Sequence, residues 1–176
     1  IELRKALHRN PELSFEEHAT QRLIMESLAS EGIACRAIAG TGVIATIEGR
    51  RGNHSRAVVL RADIDALPIE ELNDVDYRSQ NRGVMHACGH DMHTAILYGV
   101  LCELNRERDF EGTLIAIFQP GEELNPGGAI KVLEERPFEG YDVAAIIGEH
   151  VDSRLEVGQI GICPGRFMAS NDELRF

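Results

Sequence analysis

A chain of 176 residues with 43% apolar content has the length for one domain that buries about 70% of its unfolded surface without cross-links. Its 29 acids against 18 bases, a net charge of -11, leave no basic footprint for phosphate backbones or anionic lipid, so nucleic acid and membrane surfaces are not expected partners. Four scattered cysteines (Cys35, Cys88, Cys102, Cys163) form no C-x-x-C pair, which fits a reducing, cytoplasmic setting. No apolar run reaches the roughly 18 residues of a membrane span, and Ile1 to Lys5 has no apolar signal core.

In chain order, a short helix is expected from Glu2 to about His8, ended by Asn10-Pro11. Ser14-Phe15-Glu16-Glu17 fits a capping box opening a second helix, with Leu23, Ile24 and Leu28 as its apolar stripe up to Gly32. Short β-rich runs follow at Ile33 to Ile38, Val43 to Ile47 and Ala57 to Asp63, with glycines between the first pairs. A helix starts near Asp91, because Ile96, Leu97, Val100, Leu101 and Leu104 recur at helical spacing. A strand from Thr113 to Gln119, a helix from about Gly128 to Glu135, a strand from Val143 to Gly148 and a weaker strand near Val157 to Ile162 complete the count. Strands alternating with helices give an α/β layered fold with a mixed, largely parallel sheet flanked by helices. Ile1 in first place, and an alternation at Asp172 to Phe176 that stops as it starts, lead us to expect a segment of something longer.

The densest chemistry lies in His86-Ala87-Cys88-Gly89-His90-Asp91-Met92-His93, where one thiol, three imidazoles and one carboxylate crowd eight residues. Cys88 and His90 stand at an expected helix start, where backbone N–H groups and the helix dipole favour a thiolate. Sulfur with imidazole suits zinc and similar transition metals rather than magnesium or calcium. Three further polar clusters follow β-branched runs: Asp63 and Asp65, Glu122 and Glu123, Glu149 and His150. Ligands of open α/β sheets bind outside the carboxyl ends of the strands, so these segments are expected to converge.

Glu122 and Glu123 leave a strand through Pro120-Gly121, and neighbouring side chains there point in different directions. One reaches a metal while the other stays free to take a proton from water, or both form a plain acidic turn. His150 is either structural or a ligand. Asp63 and Asp65, separated by Ile64, would share a face on a strand; they ligate a metal, orient its ligands, or cap the turn before Pro68.

Five ordered segments, Leu7 to Ser14, Arg61 to Ile69, His86 to His93, Phe118 to Glu123 and Gly148 to Val151, resemble the M20 family of metallopeptidases and amidohydrolases, in particular its N-acyl-amino-acid amidohydrolases of the hippurate hydrolase type. The resemblance implies a zinc-exopeptidase-like three-layer fold, incomplete at the C-terminus, with residues 1-176 as the N-terminal part of the catalytic domain. It also implies that the lid and dimerisation domain, with the last metal-binding His and the rest of the catalytic domain, lie beyond this chain, and that full-length relatives are homodimers. Met168 to Glu173 resembles the crossing into the lid. The missing half would leave an unpaired sheet edge.

Carried over residue by residue, the resemblance makes Cys88, His90, Glu123 and His150 metal ligands, Glu122 the general base, and Asp65 the acid that supports the site from behind. Asp63 stands where other branches carry a metal-binding His, and Asp91 and His93 are candidates for supporting contacts. The implied cofactor is one or two divalent ions (Zn, Mn, Co or Ni). The implied reaction is hydrolysis of the amide bond of an N-acyl amino acid or short peptide. The competing reading is a catalytically silent, truncated metal-binding homologue.

Overall fold

The computed structural model describes residues 1–166. Nine elements follow in the order α1 (Glu2–Arg9), α2 (His18–Ser30), β1 (Cys35–Ile38), β2 (Gly42–Glu48), β3 (Arg56–Asp63), α3 (His90–Glu107), β4 (Thr113–Gln119), α4 (Gly128–Glu134) and β5 (Asp142–Gly148). The five strands form one sheet in the order β1-β2-β4-β3-β5. β1 runs antiparallel to β2, and β2 to β4, whereas β3 is parallel to both β4 and β5. The sheet is therefore mixed, with its parallel half at β4, β3 and β5.

Strand β4 explains the layering. Every residue of Thr-Leu-Ile-Ala-Ile-Phe-Gln is buried, as expected for a central strand covered on both faces. Its side chains alternate between two cores. Leu114, Ala116 and Phe118 join Ile24 and Leu28 of α2 and Leu97 and Leu101 of α3 on one face. Ile115 and Ile117 join Val132 of α4 and the partly buried Phe138 and Tyr141 on the other. Helices on both faces of a central sheet make the three-layer α/β fold expected from the sequence.

Parallel pairing has a consequence for chemistry. β3, β4 and β5 all deliver their carboxyl ends to one edge of the sheet, so Asp63, Gln119 and Gly148 end side by side, with Asp63 opposite Gln119 in register. The N-terminus of α3 arrives at the same edge, where Thr94 Oγ1 donates to the Asp63 carbonyl at 3.1 Å. Strand β5 pairs only with β3 among the described residues, and its Ile146 and Ile147 are 61% and 53% exposed.

Three local expectations are corrected. The capping box at Ser14 and Glu17 does not form: α2 starts at His18 with no side-chain cap bond from Glu17. Glu12 serves that end instead, accepting from the amides of Ala19 at 3.0 Å and Thr20 at 2.8 Å. Ser14 and Glu17 are committed to distant partners described below. The weaker strand at Val157 to Ile162 is absent; those residues form turns and irregular chain and are exposed, because no neighbouring strand pairs with them. Third, β3 ends at Asp63, so Asp65 lies beyond the strand and the shared strand face is not what brings the two acids together. Met168 to Glu173 and the alternation at Asp172 to Phe176 lie outside the described residues. No helix of the described residues is long and apolar enough to cross a membrane.

Candidate metal centre

His90 is the pivot. It is the first residue of α3, after Gly89 in the left-handed region at φ 92, a conformation that glycine adopts without a Cβ penalty. Its ring is 1% exposed. On one edge, Nδ1 lies 3.0 Å from the Asp65 carbonyl oxygen and 3.2 Å from the Asp65 carboxylate. That bond places the proton on Nδ1 and leaves the lone pair of Nε2 facing the site. Around Nε2 stand Asp63 Oδ1 at 3.6 Å, Glu123 Oε1 at 3.7 Å and Glu122 Oε2 at 3.9 Å.

Cys88 and His150 close the other side. The Cys88 Sγ is 3.4 Å from His150 Nε2, while His150 Nδ1 faces the Val151 carbonyl at 2.7 Å. Donor atoms of Cys88, His90 and His150 lie within 4.8 Å of one another, as do those of His90, Glu122 and Glu123. Two donors in this cluster, His90 Nε2 and Glu123 Oε1, are buried without any hydrogen-bond partner among the described residues. Burying such atoms unpaired is costly, and a cation at the centre would satisfy both. The residues therefore fit a metal: His90 is shared between a group with Cys88 and His150 and a group with Glu122 and Glu123.

The charges point the same way. Burial by itself would raise the Asp63 carboxyl, but the hydrogen bond from His93 and the charges of His90 and Arg61 hold it down at about 2. Asp65 is likewise lowered against its burial, by bonds from His90, Ser14 and the Glu123 amide. Burial and the neighbouring Glu123, Glu122 and Asp63 push the Cys88 thiol up to about 12. This runs against the expectation of a thiolate stabilised by the helix start, because burial and the acids around Cys88 both favour the thiol. Glu122 is raised by burial and by the charges of Glu123 and Asp63. Surplus negative charge of this kind is neutralised by a divalent cation, which also deprotonates a coordinating thiol.

The two glutamates do not diverge as expected: both reach His90 Nε2 within 4 Å. They differ in exposure instead. The Glu122 side chain is 42% exposed, the Glu123 side chain 22%, so Glu122 is the one open to incoming solvent.

His93, a candidate for supporting contacts, uses both ring nitrogens inside the protein. Nδ1 lies 2.6 Å from Asp63 Oδ1, and Nε2 accepts from the Val151 amide at 3.0 Å. It thus ties the end of β3 to the turn that carries His150. Asp91 faces away from the centre and accepts from Arg4 Nε at 2.7 Å and from His8 Nδ1 at 2.8 Å. His8, whose other nitrogen is 3.0 Å from Glu71, was given no role in sequence; its signals were a histidine on the charged helix Glu2–Arg9 and its place in the Leu7 to Ser14 segment.

Comparison with known proteins adds the context. Residues 59–172 match peptidase family M20/M25/M40. The chain is 44% identical over 177 residues to the N-acetyl-L-cysteine deacetylase of Bacillus subtilis strain 168, covering 99% of this chain and 41% of that protein. It is 44% identical over 174 residues to the N-acyl-L-amino acid amidohydrolase of Geobacillus stearothermophilus, covering 98% and 46% respectively. Among solved structures, the Bacillus subtilis YXEP protein, described as a dinuclear metal-binding peptidase of the M20 family, superimposes with a TM-score of 0.87 at 44% identity over 93% of this chain and 46% of that one. The chain thus spans less than half the length of these relatives. With the family match extending over well more than half of its residues, the chain belongs to peptidase family M20/M25/M40.

Proposed function

We propose that this chain is the N-terminal part of the catalytic domain of a metal-dependent amidohydrolase that cleaves the amide bond of N-acyl amino acids. The carrying observation is His90 Nε2, buried without a hydrogen-bond partner among the described residues, facing Glu122 and Glu123 within 4 Å and grouped with Cys88 and His150. Cys88, His90, Glu123 and His150 would hold the cation. The mixed sulfur, nitrogen and oxygen donor set favours zinc, manganese, cobalt or nickel over magnesium or calcium. When bound, a divalent cation there polarises the scissile carbonyl and acidifies a water.

The chain's own residues supply the proton traffic. Glu122, half-exposed and raised in pKa by burial and its acidic neighbours, takes a proton from the water that attacks the carbonyl carbon. As the carbon–nitrogen bond breaks, the same carboxyl returns that proton to the leaving amine. Asp65 fixes the His90 ring from behind. The substrate reading leans on relatives named N-acetyl-L-cysteine deacetylase and N-acyl-L-amino acid amidohydrolase, each 44% identical.

The test is metal analysis of the purified protein together with amine release from a panel of N-acetyl, N-benzoyl and indole-acyl amino acids. Metal-dependent release supports the proposal. Tight metal binding with no release from any substrate, in a protein that includes the remaining length of its relatives, supports the silent metal-binding reading instead.

A further inference from the structure

Two hydrogen bonds to the candidate centre come from a segment that supplies none of the proposed metal ligands. Glu12 to Glu17 runs between α1 and α2 and crosses beneath both acid-bearing turns. Ser14 Oγ donates to Asp65 Oδ2 at 2.6 Å, and the same oxygen of Asp65 accepts the Glu123 amide at 2.9 Å. Three residues on, Glu17 is 0% exposed. It accepts the Gly121 amide at 2.8 Å and, through its other oxygen, the Thr41 hydroxyl. A buried carboxylate without an ion-pair partner among the described residues is costly unless its oxygens are filled, and here one is filled by the residue immediately before Glu122 and the other by Thr41.

Packing reinforces the bond. Gly121 sits at φ +60, and a Cβ there would meet the Phe15 ring at 2.4 Å. The Lys131 ammonium lies 3.6 Å from the centroid of the opposite partner, the Phe15 ring. The Gly121 carbonyl in turn accepts the Gly128 amide at 2.9 Å, where a Cβ would lie 1.8 Å from the Pro120 oxygen. The turn from Pro120 to Gly128 is thus pinned from both ends, with the buried Glu17 carboxylate on the Gly121 amide.

We propose that Ser14 and Glu17 are positioning residues, which fix the Gly121 to Glu123 turn and Asp65 so that both glutamates face His90. The inference rests on the amidohydrolase reading for its kinetic consequence, but the geometric claim is independent of it. Carboxylates and hydroxyls that orient ligands typically carry about 10–100-fold in activity or metal affinity. Isosteric Glu17→Gln keeps one acceptor for Gly121 and one group for Thr41, so geometry is retained while charge is lost.

The experiment compares wild type with Ser14→Ala, Glu17→Ala, Glu17→Gln and Thr41→Val. It reads kcat and KM on an accepted N-acyl amino acid, Mn²⁺ affinity by calorimetry, and amide hydrogen exchange over residues 118–124 by mass spectrometry. Ser14→Ala and Glu17→Ala are expected to lower kcat about 10–100-fold with KM within about twofold, and to weaken Mn²⁺. Both should speed exchange in the turn. Glu17→Gln should restore kcat, and Thr41→Val should lower thermal stability while sparing kcat. If Glu17→Ala does not fold, Ser14→Ala, at a half-buried loop position, carries the test. Unchanged Mn²⁺ affinity and unchanged exchange would overturn the inference even in a protein that turns over. Absence of turnover in a wild type that includes the remaining length of its relatives would instead remove the amidohydrolase reading and leave the exchange and Mn²⁺ results to decide the positioning role.

Discussion

Asp65 holds His90 twice over, with its backbone carbonyl 3.0 Å and its carboxylate 3.2 Å from Nδ1, and the other carboxylate oxygen holds the Glu123 amide. One acid therefore sets the ring plane of one proposed ligand and the backbone of another. Asp65→Ala leaves the carbonyl bond but frees the ring to rotate and the Glu123 amide to drift. Mn²⁺ affinity is expected to fall about 10–100-fold in a protein that keeps its circular dichroism. An affinity equal to wild type would show that the carbonyl alone suffices.

Glu122→Gln separates binding from proton transfer. The amide keeps the volume of the carboxyl and leaves Cys88, His90, Glu123 and His150 untouched, so metal content should match wild type. The side chain can no longer accept a proton, and kcat should drop about 10²–10⁴-fold, the usual worth of a general base. Single-turnover assays with equal metal loading check this. Retained hydrolysis would move the role to another group.

The His8 network gives a pH dependence whose sign follows from its partners. The hydrogen bond to Asp91 raises His8 above 6.5 against its burial, so its contribution is complete below 6.5 and fades as pH climbs through the raised value. Asp91 and Glu71 are lowered below 3.8 and 4.5 by bonds from His8 and others that outweigh burial; their contribution is complete above those values and fades as pH falls through the lowered ones. The network is therefore fully stabilising between about pH 5 and 6.5. Urea unfolding of wild type and His8→Gln should show the largest gap at pH 5.5 and a smaller one at pH 9. A gap that widens toward pH 9 would contradict a charged His8.

Much of this was legible from local pattern. The β-branched runs marked β2 to β5 because a buried strand needs apolar side chains on both faces, and the helical recurrence of Leu97 and Leu101 marked α3. Cys88 and His90 stood out because thiol and imidazoles crowd eight residues, and Glu122, Glu123 and His150 because they follow apolar runs. What local pattern hid is where polar groups find distant partners. Ser14 and Glu17 have the spacing of a capping box, yet their partners are 51 and 104 residues away. No spacing rule reaches that far. The sheet order was equally hidden: β4 inserts between β2 and β3 through pairings that only the folded chain displays. The run Val157 to Ile162 read as a weaker strand because apolar residues need no partner in sequence, whereas a strand does in space.

Gly89 tests how tightly the two halves of the centre are coupled. It joins Cys88 to His90 in the left-handed region, where an alanine costs about 1–2 kcal/mol. Its added Cβ would also lie 2.6 Å from Val151 Cγ2, next to His150 and on the residue whose amide His93 accepts. Relief therefore pushes the His150 turn away from the Cys88 sulfur, now 3.4 Å from His150 Nε2. Gly89→Ala should lose about 1–2 kcal/mol in urea unfolding without metal. It should lose more when metal is present, because a weakened site returns less binding energy to the folded state. Equal losses with and without Zn²⁺ would mean that Cys88 and His150 do not share an ion.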